Sequence, residues 1–158
     1  MKGDAKVIEL LNEALRNELT ATNQYWLHYR LLDHMGVGRL AEFERAESID
    51  EMKHADRLAE RILFLDGLPN FQLIGRLRIG ETVEEVIASD LALETEAVGQ
   101  LRGAIRHCES VQDFVSRDLL ADILANEEEH VDHLERQSDM IAAMGLQNYV
   151  QLQSKPLD

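Results

Sequence analysis

The stretch Glu47-Ser-Ile-Asp-Glu-Met-Lys-His-Ala-Asp56 decides the fold predicted for this chain. Within it, Glu51 and His54 are three residues apart. On an α-helix this spacing places both side chains on one face, about 60° apart around the axis. One turn then offers a carboxylate oxygen and an imidazole nitrogen to the same metal ion. A single Glu-x-x-His pair is weak evidence for such a site, because charged helices contain this spacing often.

The same pattern occurs again in the second half of the chain. The repeated positions are Glu18, Glu51 and His54 in the first half and Glu94, Glu127 and His130 in the second. Corresponding positions differ by a constant 76 residues (94 minus 18, 127 minus 51, 130 minus 54). Four helices, two giving one Glu each and two giving Glu-x-x-His, supply the ligands of a carboxylate-bridged di-metal bundle. The doubled spacing therefore predicts a di-metal site inside a helical bundle.

Composition supports a helical protein and restricts its partners. The chain has 158 residues, of which 45% are hydrophobic and only two are proline. This predicts a single all-α domain over residues 1–158. A formal charge of −14 argues against binding nucleic acid or anionic membranes and favours cations. The single cysteine, Cys108, and the lack of a visible signal peptide or long apolar run predict a cytoplasmic protein.

Apolar periodicity predicts four long helices and a short fifth one. The predicted ranges are Asp4–His34, Arg39–Asp66, Val83–His107, Gln112–Met144 and Leu146–Gln153. The segment from Gly67 to Glu81 is broken by glycines and a proline but keeps its own apolar residues. We interpret it as one long crossover packed along the bundle, so that the third helix runs parallel to the second.

The six repeated residues fall on the apolar stripes of these helices. The stripe around Glu18 includes Leu11, Leu15 and Tyr25, and we also place Trp26 on the apolar face of the first helix. A glutamate on such a face is costly unless a cation neutralises it. Met52 lies on the opposite side of its helix from this stripe and is predicted to face outward.

Oxygen-rich ligation with one imidazole per metal favours iron or manganese over structural zinc. Four carboxylates balance the charge of two divalent cations. By the symmetry of the repeat, Glu18 and His54 hold one cation, Glu94 and His130 the other, and the remaining Glu51 and Glu127 bridge them. Such a site can pass electrons from two Fe²⁺ to O₂ or H₂O₂. Release of the product towards a cavity gives storage, whereas retention gives a substrate-oxidising di-iron enzyme or a peroxidase, and spacing leaves both open.

Over its whole length the sequence resembles bacterioferritin. The resemblance rests on Asn23-Gln-Tyr25, the stretch from Ser48 to Asp56, Phe64-Leu-Asp-Gly-Leu-Pro-Asn70 and Met144-Gly-Leu-Gln-Asn-Tyr149. It implies a ferritin-like bundle in a hollow shell of twenty-four subunits that oxidises Fe²⁺ and stores a ferric mineral. It also implies that the six repeated residues form the ferroxidase centre.

The resemblance assigns Met52 a role that spacing does not. With its two-fold mate it would ligate a haem b shared by two subunits, with a small ferredoxin donating electrons for iron release. It further implies an inner-surface iron site at Glu47 and Asp50. Two positions depart from the usual family pattern, Ala46 in place of histidine and His133 in place of tryptophan. The first weakens the inner-surface site, and the second puts an aromatic electron donor near the centre in doubt. By spacing, His133 follows His130 by one turn and could either join the metal site or support its ligands.

The other histidines are not predicted to be metal ligands. His34 and His107 lie near helix C-termini, where the helix dipole favours an imidazolium. His28 has no carboxylate in register on its own helix.

Overall fold

A computed structural model describes residues 1–155 and consists of helices joined by turns and one long crossover. The helices are α1 (Ala5–His34), α2 (Gly38–Phe64), α3 (Val83–Ser110), α4 (Phe114–Met144) and α5 (Leu146–Gln153). The predicted all-α bundle of four long helices with one long crossover and a short C-terminal helix is confirmed. None of the helices in residues 1–155 is long and apolar enough to cross a membrane.

Local side-chain chemistry sets the helix ends and shifts some predicted boundaries. Asp4, Thr82 and Asp113 each accept a hydrogen bond from a backbone N–H in the first turn of α1, α3 and α4, satisfying groups that a helix start leaves unpaired. Because Asp113 caps α4, that helix begins at Phe114 rather than Gln112. Gly145 adopts φ +84° between α4 and α5, a conformation that favours glycine.

Contacts between chain-distant residues fix the direction of the helices. The side chain of Gln100, late in α3, donates to the carbonyl of Leu10, early in α1, at 3.1 Å. His107 in α3 lies 3.2 Å from Asp4 at the start of α1. Thus α3 runs antiparallel to α1, and because a tight turn makes α2 antiparallel to α1, α3 runs parallel to α2, as predicted.

A row of polar side chains on α1 holds the crossover against the bundle. The pairs are Gly75 N–H to Thr20 Oγ1 at 2.8 Å, Arg78 N–H to Gln24 Oε1 at 2.8 Å, and Gly80 N–H to His28 Nε2 at 2.9 Å. The three acceptors are spaced four residues apart and therefore share one helix face. They satisfy backbone donors of a segment that has no secondary structure of its own.

The core has two apolar ends with a polar layer between them. One end contains Val7, Leu58 and Leu120, and the other contains Leu32 and Val86. On each long helix the buried acidic residues lie between these apolar positions. The placement of Trp26 on the apolar face is wrong: its side chain is 43% exposed, because the helix turns it away from the face that carries buried Tyr25.

Candidate metal centre

The polar layer brings the six repeated residues together. They are Glu18 of α1, Glu51 and His54 of α2, Glu94 of α3, and Glu127 and His130 of α4. All six are buried or nearly so, with at most 9% of each residue exposed. The structure therefore collects side chains from four helices into one cluster. That they bind metal stays a prediction.

The cluster divides into two groups that share two members. One group contains Glu18, Glu51, His54 and Glu127, and the other contains Glu51, Glu94, Glu127 and His130. In each group the candidate ligand atoms lie within 4.8 Å of one another. The shared residues are the two glutamates that the repeat predicted as bridges. The geometry thus has the form of two adjacent cation sites joined by two carboxylates.

The imidazole of His54 presents one nitrogen to the cluster and the other to a neutral partner. Its Nδ1 lies 3.2 Å from Glu18 Oε2 and 3.3 Å from Glu51 Oε2. Its Nε2 lies 3.2 Å from Asn126 Oδ1. When Nε2–H donates to the Asn126 carbonyl, loss of the proton on Nδ1 would leave a lone pair directed into the cluster, as a metal-binding histidine requires.

His130 has the same orientation on the other side of the cluster. Its Nδ1 lies 3.0 Å from Glu51 Oε1 and 3.1 Å from Glu127 Oε2, and its Nε2 contacts a carboxylate oxygen of Glu47. Glu47 is only 8% exposed, whereas Asp50 is exposed. The two residues of the implied inner-surface site therefore lie in different environments, and Glu47 is placed to orient the His130 ring.

Tyr25 connects α1 to the cluster through Glu94. Its phenol donates to Glu94 Oε1 at 2.5 Å, and its side chain is fully buried. Burial and then the charges of Glu94 and Asp90 raise the pKa of Tyr25 well above its usual value. Tyr25 therefore remains a phenol that fixes the orientation of one carboxylate.

The side chains of the cluster cannot all be charged without a cation. Burial, followed by the charges of Glu51 and Glu127, raises the pKa of both Glu18 and Glu94 well above that of an exposed glutamate. Burial alone would lower the pKa of His54, but hydrogen bonds to the carboxylates, led by Glu127, raise it to about 12. Among the described residues no lysine or arginine is buried. Protons or metal cations must supply the compensating positive charge, so the donor set fits divalent metal.

A cavity of about 520 Å³ between α2 and α4 leads to the cluster. Both imidazoles, of His54 and His130, line it together with mainly charged side chains. His133 also lines the cavity and stacks on Phe43, with ring centroids 3.9 Å apart, but it belongs to neither group of candidate ligands. Burial lowers the pKa of His133, which makes it a neutral residue at the mouth of the site.

Met52 faces away from this cavity and from the cluster. Its side chain is 43% exposed, and Ile49, one turn earlier on the same face, is 37% exposed. The predicted outward direction is confirmed. An exposed methionine beside a second apolar residue fits a surface that another molecule covers.

The sequence interpretation missed a second buried polar cluster. His28, Glu44 and Asp90 are fully buried and face one another from α1, α2 and α3. The signal was available: Glu44 precedes Glu51 by seven residues and Asp90 precedes Glu94 by four, so both lie on the inward faces of their helices. The absence of a carboxylate near His28 on its own helix was uninformative, because its partner comes from another helix.

The fold and this carboxylate-rich layer define the ferritin-like class of four-helix bundles. Residues 8–144 match the family model described as Ferritin-like domain. The chain is 50% identical over 158 residues to a protein named Bacterioferritin from Brucella melitensis biotype 1, and 48% identical over 158 residues to Bacterioferritin from Rhodobacter capsulatus. Each match covers 100% of this chain and 98% of the relative. Bacterioferritin from Mycobacterium tuberculosis is 48% identical over 157 residues, 99% of both chains. The chain belongs to the bacterioferritin family.

Proposed function

We propose that this chain oxidises Fe²⁺ at the six-residue cluster and stores the product as a ferric mineral inside a shell of twenty-four copies. The observation that carries the proposal is the pair of adjacent ligand groups sharing Glu51 and Glu127. Two adjacent Fe²⁺ ions supply the two electrons that O₂ or H₂O₂ accepts. Family membership supports iron storage. The buried cluster supports oxidation of Fe²⁺ as the step that precedes storage.

The residues of the chain would bind and orient the metal rather than donate electrons. Glu18 with His54 would hold one ion, and Glu94 with His130 the other, while the shared carboxylates keep the ions adjacent. Asn126 and Glu47 accept from the outer nitrogens of the two imidazoles, which fixes each ring in the orientation that binds a cation. Tyr25 holds Glu94 in place and excludes water from that side.

The cavity beside the cluster favours passage of ions over binding of an organic substrate. Its lining includes the acids Glu47, Asp50 and Glu129 and the bases Lys53 and Arg57, and Phe43 is its one apolar side chain. Pockets for organic substrates are mainly apolar with a few polar groups. The lining acids outnumber the lining bases by one, and the whole chain carries a formal charge of −14, so the field favours entry of Fe²⁺. This supports iron oxidation over a substrate-oxidising di-iron enzyme or peroxidase.

The outward face of α2 supports the family's haem arrangement. Met52 and the equivalent methionine of a two-fold-related copy would hold a haem b through their thioether sulfurs, and the haem would supply electron transfer. Electrons for iron release would then come from a small ferredoxin. The exposure of Met52 supports this assignment because a ligand shared between two subunits must lie on the surface of each.

The decisive experiment is to add Fe²⁺ aerobically to metal-depleted protein, desalt it, and count the iron retained per chain. Retention far above two ions per chain supports storage, whereas a plateau at two contradicts it and points to an enzyme. Glu94→Ala and His130→Ala should slow the rapid phase of oxidation while the assembled protein keeps its size in gel filtration. Unchanged oxidation in both variants would contradict the proposed centre.

A further inference from the structure

The buried cluster of His28, Glu44 and Asp90 is separate from the six candidate ligands. None of the three residues is exposed to solvent at all. A nitrogen of His28 and one oxygen from each acid lie within 4.8 Å of one another. Two acids and a histidine at this spacing could in principle hold a cation or a proton, and the hydrogen bonds around them distinguish the two.

The tautomer of His28 is fixed by the crossover. The backbone N–H of Gly80 donates to His28 Nε2 at 2.9 Å, so Nε2 must present its lone pair. The ring proton of the neutral imidazole therefore resides on Nδ1, which lies 2.8 Å from Asp90 Oδ1 and donates to it. Both ring nitrogens are thus occupied by protein partners, and neither has a lone pair left for a metal ion.

The two acids differ in the donors that they meet. Asp90 Oδ1 accepts from His28 and from Gln24 Nε2, the latter at 2.9 Å. Asp90 Oδ2 and both oxygens of Glu44 have no hydrogen-bond donor. Two buried carboxylates this close cannot both be ionised. Because two donors stabilise the charge of Asp90 and none stabilises that of Glu44, the proton belongs on Glu44.

We propose that Glu44 is a neutral carboxylic acid that donates its proton to Asp90 Oδ2, so that the pair is a proton-binding site and not a third metal site. Burial and then the Asp90 charge raise the pKa of Glu44 well above its usual value, in agreement with this geometry. The residues whose charges or titratable groups act on or beside Glu44 are Tyr25 and His28 of α1, Glu47 of α2, Asp90 and Glu94 of α3, and Tyr149 of α5. None of them is a lysine or arginine.

Charge balance in the core explains why this proton remains when metal is bound, a step that rests on the proposed function. Seven carboxylates are buried among the described residues: Glu18, Glu44, Glu47, Glu51, Asp90, Glu94 and Glu127. Two divalent cations neutralise the four in the metal cluster, and Glu47 contacts His130. Glu44 and Asp90 are left with a neutral imidazole, so one proton compensates one of their two charges, and the hydrogen bonds from His28 and Gln24 stabilise the other.

The proton has two consequences for the surrounding structure. It completes a hydrogen-bonded series from Gly80 through His28 and Asp90 to Glu44, which ties the crossover to three helices. It also limits the negative charge near Glu94, whose carboxylate and that of Glu44 repel each other when ionised. A neutral Glu44 thereby leaves Glu94 free to ionise when a cation binds.

Infrared spectroscopy of zinc-loaded protein tests the proposal, because zinc is redox-inert and removes the protons of the metal cluster. We expect the wild type to retain one carbonyl band of a protonated carboxyl group that shifts in D₂O. The band should be missing in Glu44→Gln and present in Glu60→Gln, which changes an exposed glutamate of the same helix. No such band in the wild type, or its survival in Glu44→Gln, would overturn the assignment.

Zinc binding and anomalous diffraction separate this proposal from the proposed function. Glu44→Gln should bind the same number of zinc ions as the wild type, with affinity changed less than about tenfold, or 1.4 kcal/mol. An ion between Glu44 and Asp90 in anomalous maps would refute the proton site. If the six-residue cluster binds no zinc, the proposed function fails, while the difference between wild-type and Glu44→Gln spectra still decides whether Glu44 carries a proton.

Discussion

Replacing Glu18 by glutamine should remove one cation site and leave the other. Glu18 belongs to only one of the two ligand groups, whereas Glu51 belongs to both. Without a cation, the raised pKa of Glu18 means that its side chain is already neutral. Glutamine has nearly the same shape as that neutral form. We therefore expect the free energy of unfolding of the metal-free variant to lie within about 1 kcal/mol of the wild-type value. The same reasoning predicts that Glu51→Gln removes both sites.

The expected change in thermal stability follows from the stabilisation that bound metal provides. Zinc at a free concentration about one hundred times the dissociation constant stabilises a protein by about 2.7 kcal/mol per site. Two sites give the wild type about 5.4 kcal/mol, which corresponds to a rise in Tm of roughly 10–20 °C for a chain of this size. Glu18→Gln should show about half of that rise, and Glu51→Gln almost none.

Calorimetric titration with zinc and thermal unfolding with and without zinc measure these quantities. Glu13→Gln, an exposed position on the same helix as Glu18, is the matched control and should behave as the wild type. Equal zinc stoichiometry in Glu18→Gln and Glu51→Gln would refute the division into two sites with shared carboxylates. A wild type that binds a single zinc ion would refute it as well.

Three further predictions concern the surface and the framework. Met52→Ala should abolish the Soret band while Fe²⁺ oxidation persists, and a Soret band of wild-type intensity would contradict the haem assignment. Asp113→Ala should cost about 0.5–2 kcal/mol in chemical unfolding, because it removes the cap of α4 and the partner of Arg61. Burial raises the pKa of Asp113, but hydrogen bonds from the first turn of α4 and from Arg61 outweigh burial and lower it. The difference in stability between wild type and variant should therefore be full above about pH 4 and shrink as the pH falls further. Tyr149→Phe should cost about 0.5–1.5 kcal/mol in the same assay, since it removes the 2.8 Å bond to Gln137 that attaches α5 to α4. An unchanged stability would show that this hydrogen bond makes no net contribution.

The six-residue cluster was predictable because two independent sequence signals agree on it. The 76-residue repeat shows that glutamate and histidine recur at equivalent positions in the two halves of the chain. The apolar stripes show which of the many glutamates face inward. Glu128 and Glu129 adjoin Glu127 but are exposed, as the helical period requires. A glutamate within an apolar stripe is informative in a way that a glutamate within a charged run is not.

Contacts between helices were not predictable from periodicity alone. A helical period shows which face a residue occupies, but not which residue of another helix it meets. The pairing of His28 with Asp90 depends on the position of α3 along the axis of α1. The crossover leads into α3 and is bound to α1 by the hydrogen bond from Gly80 to His28. The bonds from the crossover to Gln24 depend on the same register. Trp26 shows that periodicity can also misplace a single residue. It follows buried Tyr25 by one position, which turns its side chain about 100° around the helix axis and out of the apolar stripe.

The two apolar ends explain how the bundle tolerates so much buried acid. Each unpaired buried charge costs several kcal/mol, and seven buried carboxylates without lysine or arginine could not be offset by hydrogen bonds alone. The apolar clusters above and below the layer supply stability that does not depend on metal, so the acidic layer can be retained for binding rather than for folding. Protons balance this layer without cations, and in the function that we propose cations replace those protons in the six-residue cluster but not at Glu44. On these proposals the fold separates positive charge supplied by cations, at the six clustered residues, from positive charge supplied by a proton at Glu44, one to two helical turns away.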